Sequence, residues 1–432
     1  MADKNGSFLP FEGGSESADN LKKVVEEVFA LNSLDMKTLK SYMEPAFAKE
    51  GYRRDDRDLT KRIAIIRLDE IGDNVMTSGF IRELRKNYPT AHITLIVNPT
   101  VYPLVEFCPY VNEVIGFSVT YVRDLETRFF EILKLCYYKL WSRHFDMAFL
   151  PRWDMDNAYF GVFLAYFSGA RERIGYSAKV YDEKAKQEGH LDELLTKAVI
   201  SPPHVVHEAA RNFYLLEACN LKVDDYRQEL WYTAEDYEAA EKKTLEFSKG
   251  RKLIAVVPGG NTINKIYPPD KFIVALKKIK REDNCFLLFG GGREKEIAEH
   301  IRKNLGDNAA LNLAGATSLR ETAAAVSLCG MYIGMDTGVK HIAAALGLPV
   351  VEISRTPLTM KSSPLLHLDR FAPWQTPTIM VRPKEGLSPC KEIEPCDGCS
   401  YFKEPHCITG VKPEDIAKAY EDMARIAVYN KI

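Results

Sequence analysis

Short apolar runs alternate with longer amphipathic stretches along most of this chain, beginning at Arg62. The run "RIAIIRL" has the length and β-branched content of a buried strand, and the following "DEIGDN" is typical of a glycine-containing turn. The stretch "VMTSGFIRELRKNYP" places Val75, Phe80, Ile81 and Leu84 on one helical face, and "HITLIVN" is the next strand. A strand, a helix and a second strand within about thirty residues predict a βαβ unit, and therefore a parallel sheet.

The same alternation continues along the chain. The strands "VNEVIGF" and "FDMAFLP" are each followed by a predicted helix, over about 122–143 and about 157–169. Further on, "KLIAVVPGG", "CFLLFGGG" and "ALNLAG" are predicted strands, and each precedes an amphipathic helix. The pattern therefore predicts an α/β fold in two halves. We assign the segments as a disordered polar tail (1–18), a helical extension (19–58), an N-terminal half (59–225) and a C-terminal half (226–425).

Composition narrows the class of protein. A chain of 432 residues is too long for one ordinary core, which agrees with two domains. A formal charge of -2 gives no support for a nucleic-acid partner, and no apolar run reaches the length of about 18 residues that would span a membrane. The opening "MADKNGSFLPFEGG" lacks the apolar segment of a secretory signal, so we expect a cytoplasmic protein with mostly reduced cysteines.

Polar residues follow the predicted strands where each strand meets a helix, which is where open parallel sheets bind ligands. Neither a Walker A sequence nor the dinucleotide G-x-G-x-x-G occurs, yet glycines, hydroxyls and a lysine at strand ends suit a phosphate. The alternative is structural: the aspartates could only cap helices, the lysine could be solvated, and the glycines could form turns. The candidates are Asp69, Glu70, Asp73, Thr262, Asn264, Lys265, Glu294, Asp336, Thr337, Gly338 and His341.

Several of these stretches resemble the ADP-heptose:lipopolysaccharide heptosyltransferases, glycosyltransferase family 9. The resemblance lies in "IAIIRLDEIGDNVMTSGFIRELRKNYPTAHITLIVN", in the lysine loop "VVPGGNTINKIYPPDKFIVAL", and in "GMDTGVKH", which is similar to the family's Asp-Ser/Thr-Gly-x-x-His segment. It extends over roughly residues 62 to 425, with the motifs in the family's order. The resemblance implies a GT-B fold: two Rossmann-like domains with an interdomain cleft, the acceptor on the N-terminal side and a nucleotide-sugar on the C-terminal side.

The resemblance also implies an inverting transfer that requires no cofactor, most simply of heptose from ADP-heptose to a lipopolysaccharide-type glycolipid. Asp73 would be the general base, and Lys265, Thr262 and the amides at Thr337 and Gly338 would receive the leaving pyrophosphate. Asn264 would line the donor loop, Glu294 would hold the nucleoside, and Asp336 would orient the sugar or cap the phosphate-binding helix. His341 could reach the phosphate or only pack. Asp69, Glu70 and Arg152 are the acceptor-side candidates, and Lys340 is an unusual positive charge beside the phosphate position.

Three alternatives stay open at this stage. A protein acceptor or another nucleotide-sugar would fit the same fold, and so would a non-catalytic nucleotide-sugar-binding protein.

The helix over about 122–143 carries aromatic and basic residues, which could rest on an anionic membrane face or belong to the core. A peripheral position at the inner membrane face is therefore one expectation.

Four cysteines cluster in "CKEIEPCDGCSYFKEPHC", within a segment that we assign to 388–408. The C-x-x-C pair and two further thiolates could hold one structural zinc or iron ion. Reduced thiols and disulfides are the alternatives, and a catalytic metal is not expected, because four protein ligands would leave no open position. The residues are Cys390, Cys396, Cys399 and Cys407.

Overall fold

The protein is described from a computed structural model, which covers residues 59–260, 262–359, 368–388 and 404–429. The predicted tail (1–18) and the helical extension (19–58) lie outside the described residues. So do Cys390, Cys396 and Cys399, whereas Cys407 is described.

The N-terminal half is built on a sheet of six parallel strands in the spatial order β3-β2-β1-β4-β5-β6. The strands are β1 (Arg62–Arg67), β2 (His92–Val97), β3 (Glu113–Gly116), β4 (Met147–Leu150), β5 (Glu172–Tyr176) and β6 (Lys197–Val199). The central register places Ile63 of β1 between Ile93 and Met147. The helices of this half are α1 (Ile71–Asn87), α2 (Tyr102–Val105), α3 (Leu125–Leu135), α4 (Gly161–Phe167), α5 (Asp182–Glu188) and α6 (Glu208–Glu217).

The C-terminal half repeats this plan with a second parallel sheet in the order β12-β11-β10-β7-β8-β9. Its strands are β7 (Lys252–Val257), β8 (Asn284–Leu288), β9 (Ala310–Asn312), β10 (Met331–Met335), β11 (Val350–Ile353) and β12 (Thr378–Val381). Its helices are α7 (Ala234–Ser248), α8 (Pro269–Ile279), α9 (Lys295–Leu305), α10 (Leu319–Ser327), α11 (Gly338–Ala345) and α12 (Pro413–Tyr429). The two doubly wound sheets confirm the predicted α/β architecture of two Rossmann-like halves.

Both sheets follow one winding rule, in which the first and fourth strands of each half are neighbours. The chain turns in opposite directions from these two strands, so their carboxyl ends leave a crevice that neither crossover covers. The crevices lie between β1 and β4 in the first half and between β7 and β10 in the second. This topology fixes where a ligand site can form.

Two helix boundaries differ from the sequence-based prediction. Helix α1 begins at Ile71, so "DEIGDN" is not a separate turn and Asp73 lies in the first helical turn. The Asn74 amide anchors this start by donating to the carbonyls of Asp69 and Glu70, each at 3.0 Å. Helix α4 begins only at Gly161, because Phe160 before it adopts a left-handed φ of 59°.

The aromatic stretch over 122–143 is also interrupted. Helix α3 ends at Leu135, and a π-helical turn (Cys136–Leu140) and a 3-10 turn (Trp141–Arg143) follow it. Phe129 is buried, with its ring centroid 4.7 Å from that of Phe163, and the Trp141 indole donates to the Phe167 carbonyl at 2.7 Å. These aromatic side chains therefore belong to the core. None of the described helices is long and apolar enough to cross a membrane.

Candidate active site

The carboxyl ends of β1 and β4 carry a set of ion pairs centred on two arginines. Arg67, almost fully buried, places Nε 3.3 Å from Asp69 Oδ2 and Nη2 3.2 Å from Asp73 Oδ1. Arg152, directly beyond β4, pairs with the other oxygen of Asp69. Asp69 is thus held on both sides, and Glu70 is exposed at the start of α1 without a side-chain capping bond. The three predicted carboxylates therefore differ in their surroundings: Asp69 pairs with two arginines, Asp73 pairs with one, and Glu70 is exposed.

Of the two carboxylates that pair with Arg67, Asp73 is the more exposed. Its side chain is 24% exposed, whereas that of Asp69 is 4% exposed. Burial raises the pKa of Asp73, while the Arg67 charge opposes that rise. The alternative in which Asp73 caps α1 is wrong, because the N-cap residue is Glu70. A carboxylate with a raised pKa and one oxygen paired to arginine is chemically suited to accept a proton.

A buried arginine from the C-terminal half pairs with two carboxylates of the N-terminal half. Arg370 Nε lies 2.7 Å from Glu208 Oε1, and its Nη2 lies 2.9 Å from Asp154 Oδ2. Burial opposes ionisation of both carboxyls, yet Arg370 keeps their pKa values low, at about 2 for Asp154. The charges of Glu208 and Arg370 also act on Asp73, with opposite signs. The sequence pattern did not indicate this cluster. The place of Asp154 just beyond β4 was the available signal.

A second set of ion pairs lies at the ends of β7 and β10. Asp336, directly after β10, accepts from Lys265 at 3.2 Å through Oδ2 and from Lys340 at 2.6 Å through Oδ1. Burial opposes ionisation of Asp336, but the Lys340 and Lys265 charges outweigh it and hold the pKa of this carboxyl well below its usual range. Lys265 is therefore not a freely solvated lysine. It is held at the strand end by an ionised aspartate.

Helix α11 starts beside Lys265 and Asp336 and presents its first backbone amides to the crevice between β7 and β10. Its N-cap residue is Thr337, with no side-chain capping bond, so the prediction that Asp336 caps the helix is wrong. The first N–H groups of a helix lack intrahelical partners and favour an anion. A Cβ added to Gly338 would lie 2.7 Å from Ile71 Cβ, so the absence of a side chain allows α11 to approach α1 closely.

His341 occupies the interface between these two helix starts. It is 5% exposed, and a Cβ added to Gly72 would lie 2.6 Å from its Cδ2 atom. Burial and the Lys340 charge hold the pKa of His341 well below its usual range, which keeps the ring neutral. This geometry favours the packing alternative for His341. A contact with the donor stays a prediction.

The glycine turns after β7 and β8 close around Glu294. A Cβ on Gly259 would lie 2.0 Å from Glu294 Cγ, and one on Gly260 would lie 3.2 Å from Lys265 Cβ. Glu294 itself accepts from the Gly291 amide at 2.8 Å. The turn at Gly259 and Gly260 therefore lies between Glu294 and Lys265, two of the predicted donor-binding residues. Thr262 is exposed beside it, and Asn264 lies in the short turn Ile263–Lys265, with its side chain outside the described part.

The structural metal stays a prediction. Among the residues that the structure describes, no group of three or more His, Cys, Asp or Glu side chains is arranged to hold a metal ion. Cys407 is buried and unpaired with another cysteine, and the Leu387 amide donates to its sulfur at 3.4 Å. The remaining three cysteines of the predicted site are outside the described ranges.

Comparison with known proteins agrees with this architecture. The family model for glycosyltransferase family 9 (heptosyltransferase) matches residues 139–394, more than half of the chain. The lipopolysaccharide core heptosyltransferase OpsX of Haemophilus influenzae is 24% identical over 312 residues, which cover 72% of this chain and 83% of that protein.

Two solved structures share the fold. A family 9 glycosyltransferase of Veillonella parvula superposes with a TM-score of 0.65, and the E. coli ADP-heptose lps heptosyltransferase II with 0.63. Each is 19% identical, and each match covers 86% of this chain and 100% of the other. The two Rossmann-like halves are therefore a GT-B fold. This chain belongs to glycosyltransferase family 9, the heptosyltransferase family, and is a glycosyltransferase.

Proposed function

We propose that this glycosyltransferase moves heptose from ADP-heptose to a hydroxyl group of a lipopolysaccharide-type glycolipid. The relative from Haemophilus influenzae is a lipopolysaccharide core heptosyltransferase, and the E. coli protein that shares the fold is an ADP-heptose lps heptosyltransferase. The acceptor would be presented at the cytoplasmic face of a membrane.

The observation that carries this proposal is the contact between the starts of α1 and α11. Gly72 lies against the His341 ring, and Gly338 lies against Ile71. Asp73 follows Gly72 in the chain and Asp336 precedes this helix start, so the contact brings the two residues' helix starts together. A glycosyl transfer needs this geometry, because the acceptor hydroxyl and the donor's anomeric carbon have to meet between the two halves.

On the acceptor side, Asp73 would act as the general base. The acceptor hydroxyl donates its proton to the Asp73 carboxylate while its oxygen attacks the anomeric carbon of the donor. The bond between that carbon and the diphosphate oxygen breaks, and the configuration inverts. A positioned general base contributes about 10²–10⁴-fold in rate. The raised pKa of Asp73 makes it a stronger base than an ordinary aspartate.

On the donor side, negative charge develops on the leaving ADP. Lys265, the Thr262 hydroxyl and the first amides of α11 would receive it, which the location of Lys265 beside Asp336 and of the helix start after β10 supports. Lys265, held beside Asp336, would turn a hydrogen of its ammonium group towards a phosphate oxygen. Glu294, next to the Gly259 turn, would accept hydrogen bonds from the nucleoside.

The decisive experiment pairs a donor screen with a transfer assay. ADP-heptose is expected to raise the melting temperature of the protein more than UDP- or GDP-sugars do. Transfer to a heptose-deficient lipopolysaccharide should release ADP, and Asp73→Asn should slow that release by about 10²–10⁴-fold. Asp283→Asn is the matched control, since Asp283 is 62% exposed and pairs with Lys252 away from the crevices. A larger shift with a UDP- or GDP-sugar would overturn the donor, and an unchanged rate in Asp73→Asn would overturn the base.

A further inference from the structure

We propose that Lys340 is a positioning residue for the donor: it fixes the Asp336 carboxylate, which in turn holds the Lys265 ammonium group where the diphosphate would bind. The inference rests on the function proposed above and adds to it a side chain that makes no donor contact of its own.

Lys340 is buried so completely that it acts only through its neighbours. Its side chain is 1% exposed, and Nζ donates to Asp336 Oδ1 at 2.6 Å, Glu352 Oε2 at 3.2 Å and the Phe371 carbonyl at 2.7 Å. A lysine ammonium group has three hydrogens, so these three acceptors use all of them. No hydrogen is left for a phosphate oxygen.

The three acceptors come from three different parts of the C-terminal half. Asp336 follows β10, Glu352 lies on the neighbouring strand β11, and Phe371 ends the turn Leu368–Phe371. Lys340 belongs to the first turn of α11, so it joins the phosphate-facing helix to two strand ends. The turn Leu368–Phe371 also carries Arg370, which pairs with Glu208 and Asp154 of the N-terminal half.

The charges show why the arrangement favours donor binding. Burial would lower the pKa of Lys340, but the Asp336 and Glu352 charges raise it, so the ammonium form persists. Asp336 stays ionised with one oxygen occupied by Lys340, and its other oxygen remains for Lys265.

The two lysines differ in freedom. Lys265 is 30% exposed and makes the longer contact, whereas Lys340 is enclosed and makes the shorter one. Asp336 therefore keeps its orientation when Lys265 turns towards a phosphate. Because Lys265 is already localised, less conformational entropy is lost when the donor binds.

The test uses Lys340→Met, which keeps the unbranched shape and removes the charge. This substitution alone leaves Glu352 unpaired in a buried place, so a second variant, Lys340→Met/Glu352→Gln, removes that charge as well. We expect the dissociation constant of ADP, measured by calorimetry, and the KM for ADP-heptose to rise about tenfold in both variants. The acceptor KM should stay unchanged. The double variant should recover most of the loss in the urea midpoint.

A purely structural role gives a different result. In that case ADP affinity would return together with stability in the double variant, and this outcome overturns the inference. A double-mutant cycle adds an independent check, because Lys340 acts through Lys265. In a Lys265→Ala background, Lys340→Met/Glu352→Gln should change ADP affinity by less than about twofold. A further tenfold loss of ADP affinity in that background would show that Lys340 affects ADP binding independently of Lys265, and would also overturn the inference.

A matched control comes from the other half of the molecule. Lys184 and Glu188 are likewise buried, at 4% and 3% exposure, and Lys184 donates to the Trp153 carbonyl at 2.9 Å. Lys184→Met/Glu188→Gln should therefore cost stability and leave ADP affinity unchanged.

If the wild-type protein binds no ADP, the proposed function fails and this inference fails with it. If the wild type binds ADP and Lys340→Met/Glu352→Gln binds it equally well, only the inference fails.

Discussion

Gly72 and His341 meet at the junction of the two halves, with the imidazole ring occupying the space where a side chain at position 72 would begin. A Cβ there would lie 2.6 Å from His341 Cδ2, closer than two such carbon atoms approach without displacement. His341 is nearly fully buried, so its ring has little room to move away. This contact and that between Gly338 and Ile71 bring the starts of α1 and α11 together next to Asp73.

Gly72→Ala should therefore separate the two helix starts. We expect overpacking to cost about 1–3 kcal/mol in the free energy of unfolding, although alanine is the better helix former. Transfer activity should fall about tenfold or more, since misplacing reacting groups by about 1 Å can cost about 10²-fold. Denaturation in urea and a transfer assay measure the two effects.

Gly189→Ala is the control for this substitution, because a Cβ at Gly189 meets nothing within 4 Å. It should be neutral or slightly stabilising. The double variant Gly72→Ala/His341→Ala should relieve the overlap and recover part of the activity. Equal stability and activity in Gly72→Ala and Gly189→Ala would contradict the role of the contact.

Asp73→Asn should make the protein more stable and less active at neutral pH. Burial raises the folded-state pKa of Asp73 above its ordinary value of 3.8, so the folded protein binds this proton more tightly than the unfolded chain. Stability therefore falls as the pH rises from the unfolded to the folded pKa, and the loss persists above that window. Removing the ionisable group should raise the urea midpoint at neutral pH.

The same shift predicts the pH dependence of catalysis. The acid limb of kcat/KM reports the base in the free enzyme, so it should lie above 3.8 if Asp73 is that base. Asp283→Asn should leave both the limb and the urea midpoint in place. An acid limb at or below 3.8 would be the contrary result.

Arg370→Met should destabilise the protein strongly, because Asp154 loses its arginine partner and Glu208 keeps only Arg211. Breaking a buried ion pair on one side costs about 3–5 kcal/mol. Arg370 keeps the pKa values of both carboxyls low in the folded state, to about 2 for Asp154. Their contribution to stability is therefore present above their ordinary pKa values and is lost as the pH falls through the folded values.

The advantage of the wild type over Arg370→Met should accordingly be greatest at neutral pH and shrink in acid. Urea denaturation across this range measures it. Arg370→Met/Asp154→Asn, which removes the carboxylate left without an arginine, should recover part of the loss. A destabilisation that is the same at every pH would argue that Arg370 contributes by packing on Trp153 and Phe371 alone.

Gly259→Ala should weaken ADP binding by displacing Glu294. The added Cβ would lie 2.0 Å from Glu294 Cγ, so that side chain has to leave its position. We expect the dissociation constant of ADP to rise about tenfold, in line with the loss of one good hydrogen-bonding group. Calorimetry measures the constant. Gly292→Ala, in the next glycine turn, meets nothing within 4 Å and should bind ADP like the wild type. Equal affinities in the two variants would count against Glu294 as the nucleoside contact.

The order of strands and helices and the chemistry at the strand ends can be inferred from the amino-acid sequence alone. Apolar runs report burial directly, and the carboxyl ends of parallel strands share one edge, so Asp73, Lys265 and Asp336 could be assigned to crevices before any coordinates. Helix boundaries were not determined in this way: the last four residues of "DEIGDN" belong to α1, and the Asn74 amide donates to the carbonyls of Asp69 and Glu70 before it.

Which charged side chains pair with one another depends on how the elements pack in three dimensions. Lys340 could be read from the sequence as a positive charge near a phosphate, yet its partners lie on a neighbouring strand and a distant turn. Arg370 gave no local signal, since its carboxylate partners Glu208 and Asp154 lie in the other half. Periodicity records whether a side chain is buried but not what it is buried against. The neighbours of a buried side chain follow from the strand order, which places the first and fourth strands of each half side by side.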